Sequence, residues 1–288
     1  MFAITGITGQ VGGQLANELL AAGRPLRAVL RDPAKAAAWA ERGCEVALAT
    51  MDDAAALTAA FTGAEAVFVL LPPTFDPTPG FVEARRTIAA IATALRAARV
   101  ERVVCLSTIG AQAAPDNLLT QLQLLEQALR ELPASVAFLR AAWFIENSAW
   151  DVEGARTTGT LPTFLQPLDK PVPMVATADV AHVAAELLQT PWTGRRIVEL
   201  EGPARVTPAA LARALGAALG REVAPQVVPR AEWEPLLRAQ GMANPSPRMR
   251  MLDGFNEGWI EFEAPQAARK GVTTLQAAID GLVRPRPD

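Results

Sequence analysis

The stretch FAITGITGQVGGQLANELLAAG, residues 2–23, carries an apolar strand that ends at Thr5 and a helical pattern that opens near Gln10. Between them lies the turn Gly6-Ile7-Thr8-Gly9-Gln10-Val11-Gly12. Three glycines at this spacing are a weak signal alone, but a strand before them and a helix after give each a physical task. Gly6 allows the tight turn, Gly9 lets backbone come close to a pyrophosphate, and Gly12 lets the helix lie against the strand. The opening turn of the helix then presents N–H groups without helical partners, at the positive end of its dipole, to the phosphates. The stretch therefore reads as a dinucleotide-binding turn. Its cofactor-contacting residues are Gly6, Thr8, Gly9, Gln10, Val11 and Gly12.

The next apolar run, LRAVLRDPAK, ends in Arg31, 25 positions after Gly6. An acidic residue there would hold a ribose 2′-hydroxyl, whereas an arginine suits a 2′-phosphate, whose oxygens its planar fork matches. NADP(H) is expected on this ground. Asp32, immediately next, keeps NAD as the alternative, and Lys35 adds a second positive charge nearby.

Further along, short β-branched runs alternate with helical patterns, with strands expected near residues 2–5, 26–30, 44–48, 66–71, 101–106, 135–140 and 196–200. This alternation implies an α/β protein with a doubly wound parallel sheet of Rossmann type. In NLLTQLQLLEQALR, Leu118, Leu122, Leu125 and Leu129 share one helical face, and Gly23, Gly43 and Gly63 stand where helices end. Residues 156–175, rich in Pro, Thr and Gly, read as a loop crossing the mouth of the sheet. A helix returns in ADVAHVAAELL, with Thr177 or Asp179 as its expected cap. From Thr207 onward the pattern is mainly helical, implying a small helical C-terminal lobe. Residues 1–150, with the returning segment 177–202, are thus expected to form the NAD(P)-binding core. Residues 151–176 and 203–288 form the substrate-side loop and lobe, and the tail 284–288 is expected to fray.

Composition narrows the function. Of 288 residues half are hydrophobic and a fifth charged, which is globular usage, and the net charge of −3 gives no reason to bind nucleic acid or an anionic membrane. Cys44 and Cys105 both lie in strand-like apolar runs, as buried thiols of a reducing compartment do. The run AVFVLL (66–71) is strand-sized, and no basic leader precedes the first strand. A cytoplasmic location and a small-molecule partner are expected. A lone His182 and two distant cysteines make no metal site, and no G-x-S-x-G turn marks a hydrolase.

Several of these segments together resemble the NmrA-like family of atypical short-chain dehydrogenase/reductases. GITGQVG is similar to its G-x-T-G-x-x-G turn, DDAAALTAAFTGAEAVFVLLPP (52–73) to its third helix and fourth strand, and LRAAWFIEN (139–147) to its L-R-P-x-x-F-x-E-N segment. The sequences ELEGP and VTPAALARAL are similar to its last strand and following helix. The resemblance implies that Leu70, Leu71 and Pro72 border the cofactor. It departs at Thr50, where an Asp often contacts adenine, and at Ala141, where Pro is usual. The family includes quinone reductases, azoreductase-like proteins and NADP-sensing regulators. A homodimer or a regulatory protein partner is therefore compatible with it.

The usual Ser-Tyr-Lys set of short-chain dehydrogenases is absent. The chain has no tyrosine, and its lysines, Lys35, Lys170 and Lys270, all lie outside the helix after Ser107. Ser107, at the end of the fifth strand beside the expected nicotinamide, is a candidate catalytic or cofactor contact, as is its neighbour Thr108; a hydroxyl satisfying local backbone is the plainer alternative. Phe75, Trp143 and Phe144 gather where a flat substrate should lie, although such rings equally serve as core. The amide of Asn147 can orient a carbonyl oxygen. Two functions follow: an NADPH-dependent reductase of a quinone-like acceptor, or a redox sensor that binds NADP(H) without turnover.

Overall fold

The computed structural model describes residues 1–284; of the expected frayed tail, everything past Arg284 lies outside the described residues. The first half alternates β1 (Phe2–Thr5), α1 (Gln10–Ala21), β2 (Leu26–Leu30), α2 (Ala36–Glu41), β3 (Glu45–Leu48), α3 (Ala54–Phe61) and β4 (Ala66–Val69). There follow α4 (Val82–Ala97), β5 (Arg102–Thr108), α5 (Thr120–Arg130) and β6 (Ser135–Ala141). The chain then forms β7 (Trp143–Phe144), α6 (Val152–Thr158), β8 (Thr160–Thr163), β9 (Met174–Val175), α7 (Thr177–Gln189) and β10 (Arg195–Glu201). It closes with α8 (Pro208–Leu219), β11 (Ala224–Val227), α9 (Trp233–Ala239), α10 (Ser246–Glu257), β12 (Arg269–Lys270) and α11 (Leu275–Val283).

Eight strands form one parallel sheet in the order β12-β10-β6-β5-β4-β1-β2-β3. The strand order reverses beside β1, between β1 and β4, and a crevice of this kind at the carboxyl ends of the strands is where doubly wound sheets bind ligands. Side chains alternate across the sheet, so each strand feeds two cores. Phe2, Ile4, Phe68 and Val104 pack on the α1 and α7 side, and Ala3, Val67, Val69, Val103 and Cys105 on the α3, α4 and α5 side. All seven expected strands are present with ends within two residues; the largest shifts are at β4, which stops two residues early at Val69, and β5, which runs two residues further. Gly23, Gly43 and Gly63 all take positive φ at helix ends.

The differences are local and have physical causes. The loop expected over residues 156–175 contains the end of α6, then β8 and β9. Strand β8 pairs in parallel with β11, each carrying a proline, Pro162 and Pro225. A two-stranded ribbon leaves one side of each strand unbonded, so a missing N–H is tolerated there. Neither Thr177 nor Asp179 caps α7 from in front. Thr177 is its first residue, and Glu146 Oε1 accepts from its N–H (2.9 Å) and its hydroxyl (2.8 Å). Asp179 instead accepts from the N–H and hydroxyl of Thr273 (3.0 and 2.9 Å), docking the C-terminal segment beside β12. No helix among the described residues is long and apolar enough to cross a membrane.

Candidate active site

The glycine turn has the shape its sequence implies. Ile7 and Val11 anchor it in the core, while Thr8, Gly9 and Gln10 are exposed. Gly6 has φ +63°, and Gly9 N–H donates to its carbonyl at 2.9 Å. A β-carbon on Gly12 would lie 2.3 Å from Gly6 O and 2.7 Å from Gly6 C, so the position admits no side chain at all. One on Gly6 would lie 2.4 Å from a methyl of Leu70. No side chain caps α1, and its first turn has no acidic residue, which leaves its N–H groups and dipole available to an anion. Close backbone at the three glycines, beside an uncapped helix start, fits a pyrophosphate.

At the adenosine end, the two neighbours after β2 separate. Asp32 Oδ1 accepts from Ala34 N–H at 3.0 Å and caps a short turn, Pro33–Lys35. Arg31 is exposed, and neither it nor Lys35 has an ion-pair partner among the described residues. Thr50 is exposed just past β3, and Asp53 caps α3 through Ala55 and Ala56 N–H.

Thr5 Oγ1 donates to Phe68 O (3.0 Å) and accepts from Leu70 N–H (3.2 Å), fixing the exit of β4 against β1. Leu70 packs on Gly6, Leu71 is buried, and Pro72 is exposed. Phe75 follows, exposed, and meets the exposed Trp150 edge-on with centroids 5.8 Å apart. Trp150 ends the short turn Ile145–Trp150 that also carries Asn147, whose exposed amide makes no hydrogen bond among the described residues. Trp143 and Phe144 are half-buried on β7, and Trp143 meets Phe255 of α10 edge-on at 5.2 Å. Asp151, next to Trp150, has its carboxyl pushed up to about 6 by burial alone.

Ser107 points elsewhere. Its hydroxyl donates to Glu126 Oε1 at 2.6 Å, inside a buried ionic cluster. Arg140, its register neighbour on β6, forks onto both oxygens of Glu126 (2.9 Å each) and reaches Glu263 at 2.7 Å. Burial works against the charge on Glu126, but hydrogen bonds from Arg140 and Ser107 and the Arg140 charge outweigh it, and its pKa is lowered. The sequence reading did not find this cluster. Its signal is a charged residue within each of two apolar segments, Arg140 in SVAFLRAA and Glu126 in LLEQALR, since buried charges need partners.

A parallel sheet in this order with a tight glycine turn at its switch point defines a dinucleotide-binding α/β protein. The NAD(P)H-binding family model matches residues 6–191, and the chain belongs to that family. Among curated relatives, the NAD(P)H azoreductase of Xenophilus azovorans is 29% identical over 261 residues, covering 89% of this chain and 85% of the relative. The (4-alkanoyl-5-oxo-2,5-dihydrofuran-3-yl)methyl phosphate reductase of Streptomyces griseus is 32% identical over 223 residues, covering 77% and 74%. The crystal structure of an Escherichia coli NADPH-dependent quinone oxidoreductase complexed with NADPH superposes with a TM-score of 0.81 at 26% identity, over 99% of this chain and all of that one.

Proposed function

We propose that the chain is an NADPH-dependent reductase of quinone-like acceptors that works by direct hydride transfer without a Tyr-Lys pair. The observation that carries this reading is the Gly12 cradle, too tight for a β-carbon, with Leu70 of the β4 exit packed on Gly6, in a chain without tyrosine; the exposed Phe75–Trp150 ring pair follows that exit. The names of the relatives, an azoreductase, a butenolide phosphate reductase and an NADPH-dependent quinone oxidoreductase, support reduction of conjugated acceptors.

In this reading Gly6, Thr8, Gly9, Gln10, Val11 and Gly12 hold the pyrophosphate, Arg31 the 2′-phosphate, and Leu70, Leu71 and Pro72 the wall beside the nicotinamide. When bound, NADPH supplies a hydride from nicotinamide C4. Phe75 and Trp150 cover the planar acceptor and exclude water, with Trp143 and Phe144 behind them, and Asn147 Nδ2–H orients its oxygen. Ser107 shapes the wall, because its proton is committed to Glu126. Residues 1–150 and 177–202 hold the cofactor, and the segments 151–176 and 203 onward cover the acceptor. Anaerobic incubation with NADPH and a panel of p-quinones tests the proposal, with one quinol expected per NADPH consumed. Tight NADPH binding without consumption by any quinone or azo compound would make the chain a cofactor sensor instead.

A further inference from the structure

Gln121 lies in the first turn of α5 and is buried, only 4% exposed. Its Nε2 donates to Thr74 O at 3.0 Å and to Leu118 O at 3.1 Å. Two carbonyl oxygens can be met only by the amino end, so the orientation of the amide is settled and Oε1 faces away from them. That oxygen is buried and has no donor among the described residues. A buried acceptor without a donor costs more than its hydrogen bond would return, and such atoms are rare.

Its place says which donor is missing. Helix α5 runs back along β5, and its Glu126 faces Ser107 at the end of that strand. Gln121 therefore stands about 7.5 Å further out along the helix, at the carboxyl edge of the sheet, where doubly wound folds bind their ligands. Thr74, which it holds, lies between Pro72 of the proposed nicotinamide wall and Phe75 of the proposed acceptor rim. Ionised phosphates and quinones offer only acceptor oxygens. The adenosine donors belong to the far end, by Arg31 after β2, on the other side of β1 in the sheet. The nicotinamide riboside half of the cofactor is left, with its ribose hydroxyls and carboxamide N–H. We infer that Gln121 Oε1 accepts a hydrogen bond from that half of NADP(H), from a ribose hydroxyl or the carboxamide, while Nε2 holds the Thr74 loop beside it. The inference concerns cofactor binding alone, so it stands or falls apart from the reductase reading.

Calorimetry tests it with three ligands: NADP⁺, its 3-acetylpyridine analogue, which has no carboxamide N–H, and 2′-phospho-ADP, which has no nicotinamide riboside. Gln121→Met, of similar length and without an amide, is expected to weaken NADP⁺ binding about five- to a hundredfold, the range for a buried group left unpaired. Affinity for 2′-phospho-ADP is expected to stay that of the wild type. Gln121→Glu keeps an acceptor oxygen and loses the amino end, and is expected to retain most of the NADP⁺ affinity. A Gln121→Met penalty that persists with the acetylpyridine analogue assigns the donor to the ribose, and one that vanishes assigns it to the carboxamide. Equal losses in Gln121→Met and Gln121→Glu would overturn the inference, since Gln121 would then act only through the Thr74 loop. Unchanged NADP⁺ affinity in Gln121→Met would overturn it too. Wild type isotope-labelled at the glutamine side-chain carbonyl gives an NMR reading that does not need a folded Gln121→Met protein. The Gln121 signal, identified by its loss in Gln121→Glu, is expected to move with saturating NADP⁺ and to stay in place with saturating 2′-phospho-ADP. A signal that NADP⁺ leaves in place would give Oε1 to a buried water and overturn the inference.

Discussion

The two ends of the proposed site are built from different material. The phosphate end is backbone, where Gly12 leaves no room for one carbon between α1 and the Gly6 carbonyl. The proposed acceptor end is side chain, with Phe75, Trp150 and Asn147 all exposed. A backbone cradle has no slack, because its shape and the register of β1 against β4 are one feature. A rim of exposed side chains can change ring, amide or charge with little effect on stability. On the proposed reading the fold fixes the cofactor class, and acceptor choice is adjustable on top of it.

The largest expected effect follows from the cradle. Gly12→Val should abolish NADPH binding in calorimetry while far-UV circular dichroism stays that of the wild type, and Gly12→Ala should already weaken binding severely. Unchanged affinity in a folded Gly12→Val protein would remove the contrast between the two ends. A residue belonging to neither end should move stability instead. Glu126→Ala leaves Arg140 buried without its main partner and is expected to destabilise the protein by about 3–5 kcal/mol in denaturant melts at pH 7. Because the folded pKa of Glu126 is lowered, its stabilising contribution is present above the unfolded carboxylate value and lost as pH falls through the folded one. The gap between wild type and variant should narrow below about pH 4.

Arg31→Ala tests the adenosine end, where one side chain is added to the backbone frame. It should remove a NADPH-over-NADH preference of about ten- to a hundredfold in Kd, from about 1.5–3 kcal/mol of charge-assisted bonding. Equal affinities in the wild type would mean that Arg31 does not meet the 2′-phosphate. The smallest effect belongs to the rim. Phe75→Ala should leave NADPH affinity as it is and raise acceptor KM by up to about tenfold, in line with about 0.5–1.5 kcal/mol for an aromatic pair.

The same contrast explains what the sequence made legible. The glycine turn and the seven expected strands can be read because backbone shape and fully buried strands leave local signatures, glycines at fixed spacing and short apolar runs. Strands β8 and β11 cannot, since both are short, carry a proline and resemble loop. Glu146 at the head of α7 cannot either, because its partner Thr177 lies 31 residues away and no local pattern joins them. Asn147 stands in the segment that resembles the family's, and Phe75 two positions past the other such segment; their part in acceptor binding is a proposal.

Acceptor chemistry is tested most directly by the ratio of kcat/KM for a p-benzoquinone to that for an unactivated ketone, both with NADPH in one anaerobic buffer. Hydride addition to the ketone leaves an alkoxide, whose conjugate acid has a pKa near that of water, about 16. Addition to the quinone leaves a phenolate-like anion, for which a tyrosine-like pKa of about 10 is a fair proxy. Those roughly six units correspond to about 8 kcal/mol of anion stability, which a positioned tyrosine could partly offset and which this chain, without tyrosine, leaves to the acceptor. The expected result is ready turnover of the quinone with ketone reduction at or below the blank. Ketone reduction at a comparable rate would contradict the mechanism, because it requires a proton donor that the mechanism does without.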